Sequence, residues 1–203
     1  MGFWERNIVP RMVDRMCGGK EQTRIRQRVL KELRGEVVEV GFGSGLNLPH
    51  LPADVSRLYA IDPSGKGREL AGARLAESPV PVVFAGLDGQ DLPLPDASMD
   101  AALSTWTICT IPDAVRALSE LRRVLRPGGR LHFVEHGLHP DPRVSRWQHR
   151  LNPLQKRIGG GCQLNRAIGD LIREAGFSVD RLENYEIKGP RPFTYMYEGT
   201  AVR

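Results

Sequence analysis

Residues 39–47 read Glu-Val-Gly-Phe-Gly-Ser-Gly-Leu-Asn, and this glycine-rich stretch follows a short β-branched run at 37–40. Glycines let the chain turn sharply and let a ligand approach without a Cβ in the way. A doubly wound sheet binds its ligand at such a loop, outside the carboxyl end of a strand. The spacing departs from the dinucleotide fingerprint G-x-G-x-x-G because the third glycine, Gly45, comes one residue early. No Gly-Lys-Ser/Thr follows, which excludes a P-loop.

Strand-like and helix-like segments alternate on both sides of this loop. Strands are predicted near 37–40, 58–61, 80–85, 99–104 and 130–135, with helices near 65–77, 112–124 and 164–175. This alternation is typical of a parallel sheet covered by helices on both faces. The last two strand signals, 177–187 and 193–202, have no helix between them and predict an antiparallel hairpin at one edge. The sequence therefore predicts an α/β fold with a doubly wound, mostly parallel, seven-stranded sheet.

Length and charge predict one main domain behind a basic segment. The chain has 203 residues and a net charge of +5, and residues 1–34 hold nine Lys or Arg against four acids. Helical patterns at 3–16 and 20–34 predict an N-terminal helical segment at 1–34, in front of a main domain at 35–203. We expect this segment to cover the substrate. Residues 137–163 contain prolines and few periodic signals, so we expect an irregular insertion there.

Two carboxylates indicate the kind of ligand. A pyrophosphate would favour nearby cations, yet the glycine loop is flanked by Glu39 and by Asp62, which ends the second strand. A carboxylate at that second position can accept hydrogen bonds from both hydroxyls of a ribose. A ligand with an adenosine ribose and a positive charge fits better than NAD. S-adenosylmethionine, with its sulfonium, is such a ligand.

Composition limits the compartment and the partners. Cys17, Cys109 and Cys162 show no CxxC spacing, so we expect neither a disulfide framework nor a metal site. No apolar run approaches the ~20 residues that span a bilayer, and the start lacks a signal-peptide core. A reducing cytoplasm is the expected compartment. The basic N-terminal segment leaves peripheral contact with an anionic lipid surface or an acidic partner open.

Two further motifs carry a family resemblance. Residues 88–100, Asp-Gly-Gln-Asp-Leu-Pro-Leu-Pro-Asp-Ala-Ser-Met-Asp, resemble the stretch before the fourth strand of class I methyltransferases. Residues 125–131, Leu-Arg-Pro-Gly-Gly-Arg-Leu, resemble the turn into their fifth strand. Together with the glycine loop and Asp62, four motifs follow the family's order over residues 36–136.

A closer resemblance is to the methyltransferase-like thiol methyltransferases of animals and their bacterial relatives. It rests on Val134-Glu135-His136, on Trp147-Gln148 and on residues 158–162, Ile-Gly-Gly-Gly-Cys. The animal proteins carry an apolar membrane anchor at their start, where this sequence has the basic amphipathic segment.

The resemblance implies a site for S-adenosylmethionine, with S-adenosylhomocysteine as the product. Its cofactor residues would be Glu39, Gly41, Gly43, Gly45, Asp62, Pro63, Asp88, Gly89, Gln90 and Thr105. Glu39 would lie near the methionine ammonium, Asp62 would bind the ribose, and Gly89 would flank the adenine.

The acceptor is expected at the carboxyl ends of the later strands. His136 is the candidate general base or substrate contact, and Trp106, Trp147, His149 and Cys162 are candidate pocket residues. A thiol of pKa near ~8.5 is already partly ionised at neutral pH, so it needs little more than proximity and a positive field. A phenol or alcohol usually needs a base.

The leading prediction is methyl transfer to a small-molecule thiol or sulfide. Open alternatives are O-, N- or C-methylation of a phenol, a quinone-like ring or a lipid amine, and a cofactor-binding module without activity. A nucleic-acid substrate is not expected, because no Asn/Asp-Pro-Pro-Tyr-like segment follows the fourth strand and aromatic residues are too sparse for a stacking platform.

Overall fold

The computed structural model describes residues 2–203 and contains one seven-stranded sheet. Its strands are β1 (Gly35–Val40), β2 (Val55–Ile61), β3 (Val82–Gly86), β4 (Met99–Thr105), β5 (Leu125–His136), β6 (Ser178–Glu186) and β7 (Tyr195–Val202). The strand order is β3-β2-β1-β4-β5-β7-β6. Strands β1 to β5 are parallel, and β7 runs antiparallel to both β5 and β6. The predicted mostly parallel sheet with an antiparallel edge pair is confirmed.

Seven α-helices surround the sheet in residues 2–203. They are α1 (Val9–Cys17), α2 (Lys20–Leu30), α3 (Gly65–Leu70), α4 (Gly72–Glu77), α5 (Ala114–Val124), α6 (Pro142–Ile158) and α7 (Ile168–Glu174). A π-helical turn, Trp4–Ile8, leads into α1, and short 3₁₀ turns cover Leu48–His50 and Arg191–Phe193. Among the described residues, no helix combines the length and the apolar character that crossing a membrane requires.

The alternation of side chains along the strands builds a core on each face of the sheet. Val37 points to the face that α2 covers with Ile25 and Val29. Val38 points to the opposite face, which α5 covers with Leu118. Each of these side chains is at most 2% exposed, and full burial of such a side chain stabilises the fold by roughly 1.5–3 kcal/mol.

The prediction of an irregular insertion at 137–163 is wrong, because α6 occupies most of it. The side chain of Asp141 caps the helix by accepting the N–H of Arg143 at 2.8 Å. Pro142 takes the first helical position, where its missing N–H costs nothing. The helix lacks a clear apolar period because the side chains that it buries are only Val144 and Gln148.

The strand order places the site. The order reverses between β1 and β4, which lie side by side although they are not consecutive in the chain. In open α/β sheets the crevice at the carboxyl ends of such a strand pair holds the ligand. The glycine loop follows β1 at this edge, and Thr105 ends β4 beside it.

Candidate active site

The glycine loop adopts a backbone that favours glycine at three positions. Gly41, Gly43 and Gly45 have φ angles of +77°, +54° and +72°, in the left-handed region that other residues rarely enter. A Cβ added to Gly41 would overlap the side chain of Thr107, with 2.6 Å to its Cβ. The loop therefore packs directly against the segment that follows β4.

Asp62 fixes this loop from the end of β2. Its Oδ2 accepts the N–H of Gly43 at 2.8 Å, and its Oδ1 accepts the N–H of Ser64 at 2.7 Å. Burial raises the pKa of Asp62, while these two backbone hydrogen bonds oppose the shift. Each carboxylate oxygen keeps a second lone pair, so Asp62 can hold the loop and still accept hydroxyl groups from a ligand.

Glu39 and Asn47 form a buried polar pair under the loop. Glu39 is 1% exposed, and its Oε1 accepts a hydrogen bond from Asn47 Nδ2 at 2.6 Å. The same amide donates to Thr105 Oγ1 at 3.0 Å. Within residues 2–203, Glu39 Oε2 and Asn47 Oδ1 are buried and have no hydrogen-bond partner. Buried hydrogen-bond acceptors normally have a partner, so these two oxygens favour a ligand that brings hydrogen-bond donors to this point.

A cleft of about 350 Å³ opens beside Asp62. Phe42 and Phe84 line its apolar wall, and the guanidinium of Arg68 lies 3.8 Å above the Phe84 ring. A wider depression of about 570 Å³ lies around Pro112, and none of the predicted site residues line it.

The segment after β3 supplies a second wall near the glycine loop. A Cβ on Gly89 would lie 3.3 Å from Val40, so the backbone there approaches β1 closely. Asp88 Oδ1 accepts the backbone and side-chain N–H groups of Gln90 at 2.9 and 3.0 Å. Gln90 Oε1 in turn accepts the N–H of Asp113 at 2.9 Å, which ties the segment to the start of α5.

Trp106 and Arg26 lie together at the end of β4. Trp106 has a φ of +52°, a strained conformation for a bulky residue, which marks a constrained site. The guanidinium of Arg26, from α2, is 4.7 Å from the centre of its indole ring. Arg26 is only 4% exposed and donates to the carbonyl of Cys17 at 2.6 Å. A buried cation therefore faces this side of the site.

His136 and Cys162 meet at the end of β5. His136 Nε2 lies 2.8 Å from Cys162 Sγ. Contact with Cys109 and burial raise the pKa of the Cys162 thiol, so this thiol is protonated at neutral pH. The structure thus brings the candidate base into contact with one of the candidate pocket residues.

Trp147 and His149 lie on the exposed side of α6. Trp147 is 56% exposed, with Arg150 5.6 Å from its ring centre. His149 is exposed and pairs with Asn165 at 2.9 Å. Gln148, between them, is buried and bonds the backbone of Gly137 and of His139. The motif residue that anchors α6 is therefore Gln148, and the pocket role of its two neighbours stays a prediction.

Comparison with known proteins gives the family. Residues 38–133 match the model of the methyltransferase domain. Thiol S-methyltransferase TMT1B of Rattus norvegicus is 31% identical over 84% of this chain and 71% of its own length. The chain belongs to the class I S-adenosylmethionine-dependent methyltransferases. Thiol S-methyltransferase TMT1A of Homo sapiens is 31% identical over 79% of this methyltransferase and 69% of its own length. The crystal structure of an S-adenosylmethionine-dependent methyltransferase of Thermotoga maritima covers 98% of this chain and 97% of its own at a TM-score of 0.66 and 22% identity.

The cofactor of this methyltransferase is S-adenosylmethionine, and the buried acceptors fit it. Its methionine part carries an ammonium group with several N–H donors, which the unpartnered oxygens of Glu39 and Asn47 can accept. Its ribose needs two acceptors, which Asp62 can supply. When bound, the cofactor supplies an electrophilic methyl group, and the protein supplies alignment and a dry site.

We expect Glu39 to make the affinity for the cofactor depend on pH. Burial raises its pKa to about 7, against the hydrogen bond of Asn47 and the charge of Arg26, which lower it. An ammonium favours the ionised carboxylate, so we expect affinity for S-adenosylmethionine to rise about tenfold between about pH 6 and pH 8. Calorimetric titration at several pH values measures this change.

The Glu39→Gln variant is the matched control, since it keeps the size of the side chain and does not titrate. Its affinity should be lower and flat over the same range. Without cofactor the sign reverses for this one group: the raised pKa of Glu39 contributes stability that is fully present below about pH 4.5 and is lost as the pH rises through about 7. An equal pH dependence in both proteins would contradict the assignment.

Three residues of this methyltransferase site were missed by sequence reasoning. Asn47 ends the quoted loop, and its polar side chain directly after the glycines was the available signal. Arg26 occupies a buried position of α2 next to Ile25, where an arginine breaks the apolar pattern. Asp14 accepts hydrogen bonds from Ser44 at 2.7 Å and from Arg74 at 3.0 Å. That contact fastens α1 to the glycine loop and had no sequence signal.

Proposed function

We propose that this methyltransferase transfers the methyl group of S-adenosylmethionine to the sulfur of a small-molecule thiol. The observation that carries the proposal is the similarity to two thiol S-methyltransferases over more than three quarters of the chain. Methyl transfer to a small-molecule acceptor is common to this group of relatives. The choice of a thiol sulfur as the acceptor atom is the more specific part of the proposal.

The charges at the acceptor end support a thiol. The buried guanidinium of Arg26 beside Trp106 creates a positive field there, and a positive field favours a thiolate over a thiol. The acceptor sulfur forms a bond to the methyl carbon while the bond from that carbon to the sulfonium breaks. The products are a thioether and S-adenosylhomocysteine, and the thiol proton goes to solvent.

The residues divide into a cofactor half and an acceptor half. The cofactor half consists of Glu39, Gly41, Gly43, Gly45, Asp62, Pro63, Asp88, Gly89, Gln90 and Thr105. We assign Trp106, His136 and Cys162 to the acceptor half. Residues 1–34, in front of the main domain at 35–203, would cover the acceptor half. Trp4 Nε1 donates to the carbonyl of Ile158 at 3.0 Å and so links this N-terminal segment to α6. Trp147 and His149 would line the outer rim of the acceptor half.

The three cysteines of the protein are free, which suits a reducing cytoplasm.

A panel of acceptors tests the proposal. The purified protein is incubated with methyl-labelled S-adenosylmethionine and with alkyl thiols, hydrogen sulfide, phenols, quinols or amines, and labelled product is measured. We expect methylated thiols, with turnover at least about tenfold above that of any other class, because binding and orientation favour one acceptor atom. Excess S-adenosylhomocysteine should suppress the signal.

Two results would decide against the thiol. Turnover of a phenol, quinol or amine with silent thiols would move the acceptor to that class and leave the methyltransferase class intact. Silence across the panel, with cofactor binding retained, would contradict the proposed acceptor range as a whole.

A further inference from the structure

Three side chains from separate parts of the chain converge within the acceptor half. Cys109 follows β4, His136 ends β5, and Cys162 follows α6. One potential ligand atom from each, two thiol sulfurs and an imidazole nitrogen, lies within 4.8 Å of the other two. The proposed function assigns no chemistry to Cys109, and it uses His136 and Cys162 only as pocket residues.

The loop that carries Cys109 is held rigidly. Glu135 is fully buried in β5, and its carboxylate accepts the N–H groups of Thr107, Ile108 and Cys109 at 2.9, 3.0 and 3.3 Å. The N–H of Gln163 donates to the carbonyl of Cys109 at 2.9 Å. The two cysteine-bearing segments are therefore joined directly.

The segment that carries Cys162 is a tight glycine turn. Gly160 and Gly161 have φ angles of +63° and +95°, and the N–H of Gly161 donates to the carbonyl of Lys156 at 2.9 Å. This turn ends α6 and brings Cys162 to His136. The cluster is thus fixed from both sides before any ligand arrives.

We propose that Cys109, His136 and Cys162 bind a zinc ion. Tetrahedral coordination with Zn–S of about 2.3 Å and Zn–N of about 2.0 Å requires ligand atoms roughly 3.5–3.8 Å apart. His136 Nε2 and Cys162 Sγ are 2.8 Å apart and would have to separate by about 0.7 Å to reach this spacing, and all three ligand atoms lie within 4.8 Å of one another. Thiolate and imidazole are the ligands that zinc prefers. Binding converts two thiols to thiolates and releases two protons to solvent.

Three protein ligands leave one tetrahedral position free, as in catalytic zinc sites. Cys109 is buried, whereas His136 and Cys162 are partly exposed, so a fourth ligand can reach the ion from their side. If the acceptor is a thiol, as the proposed function states, its sulfur would occupy that position as a thiolate. The sequence shows no CxxC spacing, but that spacing indicates only zinc sites whose ligands are close in sequence. The three ligands proposed here are far apart in the chain.

Cobalt(II) tests the metal site by itself, because it replaces zinc and absorbs light in a way that depends on its ligands. Reduced, metal-free protein is titrated with Co²⁺ under anaerobic conditions. We expect one Co²⁺ per chain, a thiolate-to-cobalt charge-transfer band, and displacement by Zn²⁺. Cys109→Ser and Cys162→Ser should each weaken the metal affinity more than about tenfold.

Cys17→Ser is the matched control, since Cys17 is partly exposed and outside the cluster. It should bind Co²⁺ like the wild type. A missing charge-transfer band, or equal binding by the Cys17, Cys109 and Cys162 variants, would overturn the zinc site. A disulfide between Cys109 and Cys162, with no metal uptake after reduction, would also overturn it.

The fourth position is tested separately with 2-mercaptoethanol. Its addition to the cobalt protein should shift the charge-transfer band. Uptake of Co²⁺ without this shift would overturn the sulfur-binding role while the metal site stands. Thiol methylation in the acceptor panel remains an independent readout of the proposed function.

Discussion

Replacing Asp62 by alanine is expected to weaken the binding of S-adenosylmethionine at least about 100-fold, because hydrogen bonds to a charged group contribute about 1.5–3 kcal/mol each. The variant loses the two oxygens that we propose as acceptors for the ribose hydroxyls. It also loses the anchors for the N–H groups of Gly43 and Ser64. Calorimetric titration with S-adenosylmethionine and with S-adenosylhomocysteine measures the loss, which should be similar for both because they share the ribose.

Asp54→Ala is the matched control for this prediction. Asp54 is exposed, and the hydrogen bond that it accepts, from the N–H of Gly35, uses its backbone carbonyl. Its replacement should leave affinity unchanged. Asp62→Asn keeps one acceptor oxygen and should fall between wild type and Asp62→Ala. If Asp62→Ala binds cofactor as well as Asp54→Ala does, the ribose is held elsewhere.

The sheet and the cofactor loop were predictable because their signals are local. The β-branched run before the glycines and the alternation after them depend on neighbouring residues only. The position of Asp62 beside the glycine loop could be predicted because a parallel sheet brings the carboxyl ends of its strands to one edge. The structure puts its carboxylate 2.8 Å from the N–H of Gly43.

The contacts within the acceptor half could not be predicted in the same way, although its residues were named, because these contacts are long-range. Arg26 meets Trp106 across 80 positions of sequence, from an N-terminal helix whose placement no motif fixes. Cys109, His136 and Cys162 converge only after β4, β5 and α6 are packed.

Helix α6 shows a different reason for failure. Pro142 and Pro153 both lie within its bounds, and proline argues against a helix interior. The cap of Asp141 and the first-turn position of Pro142 reverse that argument for Pro142 alone, and both are visible only when the helix start is known. Pro153 lies inside the helix all the same.

Gly41→Ala tests the packing of the cofactor loop, and we expect loss of measurable cofactor binding together with destabilisation by about 3 kcal/mol. The left-handed backbone at Gly41 disfavours any Cβ, and this Cβ would also overlap Thr107. Thr107 cannot move away easily, because its N–H is held by Glu135 at 2.9 Å. Thermal and urea unfolding measure stability, and calorimetry measures binding.

Gly72→Ala separates this effect from the general effect of replacing a glycine. Gly72 begins α4, and a Cβ there would meet no atom within 4 Å. Alanine is the better helix former, so this change should leave stability equal or raised by up to about 1 kcal/mol, with affinity unchanged. Equal behaviour of the two variants would mean that the loop can retreat from Thr107. The cofactor would then bind to a loop that adapts to it, and the close contact between the segments after β1 and β4 would not be required for binding.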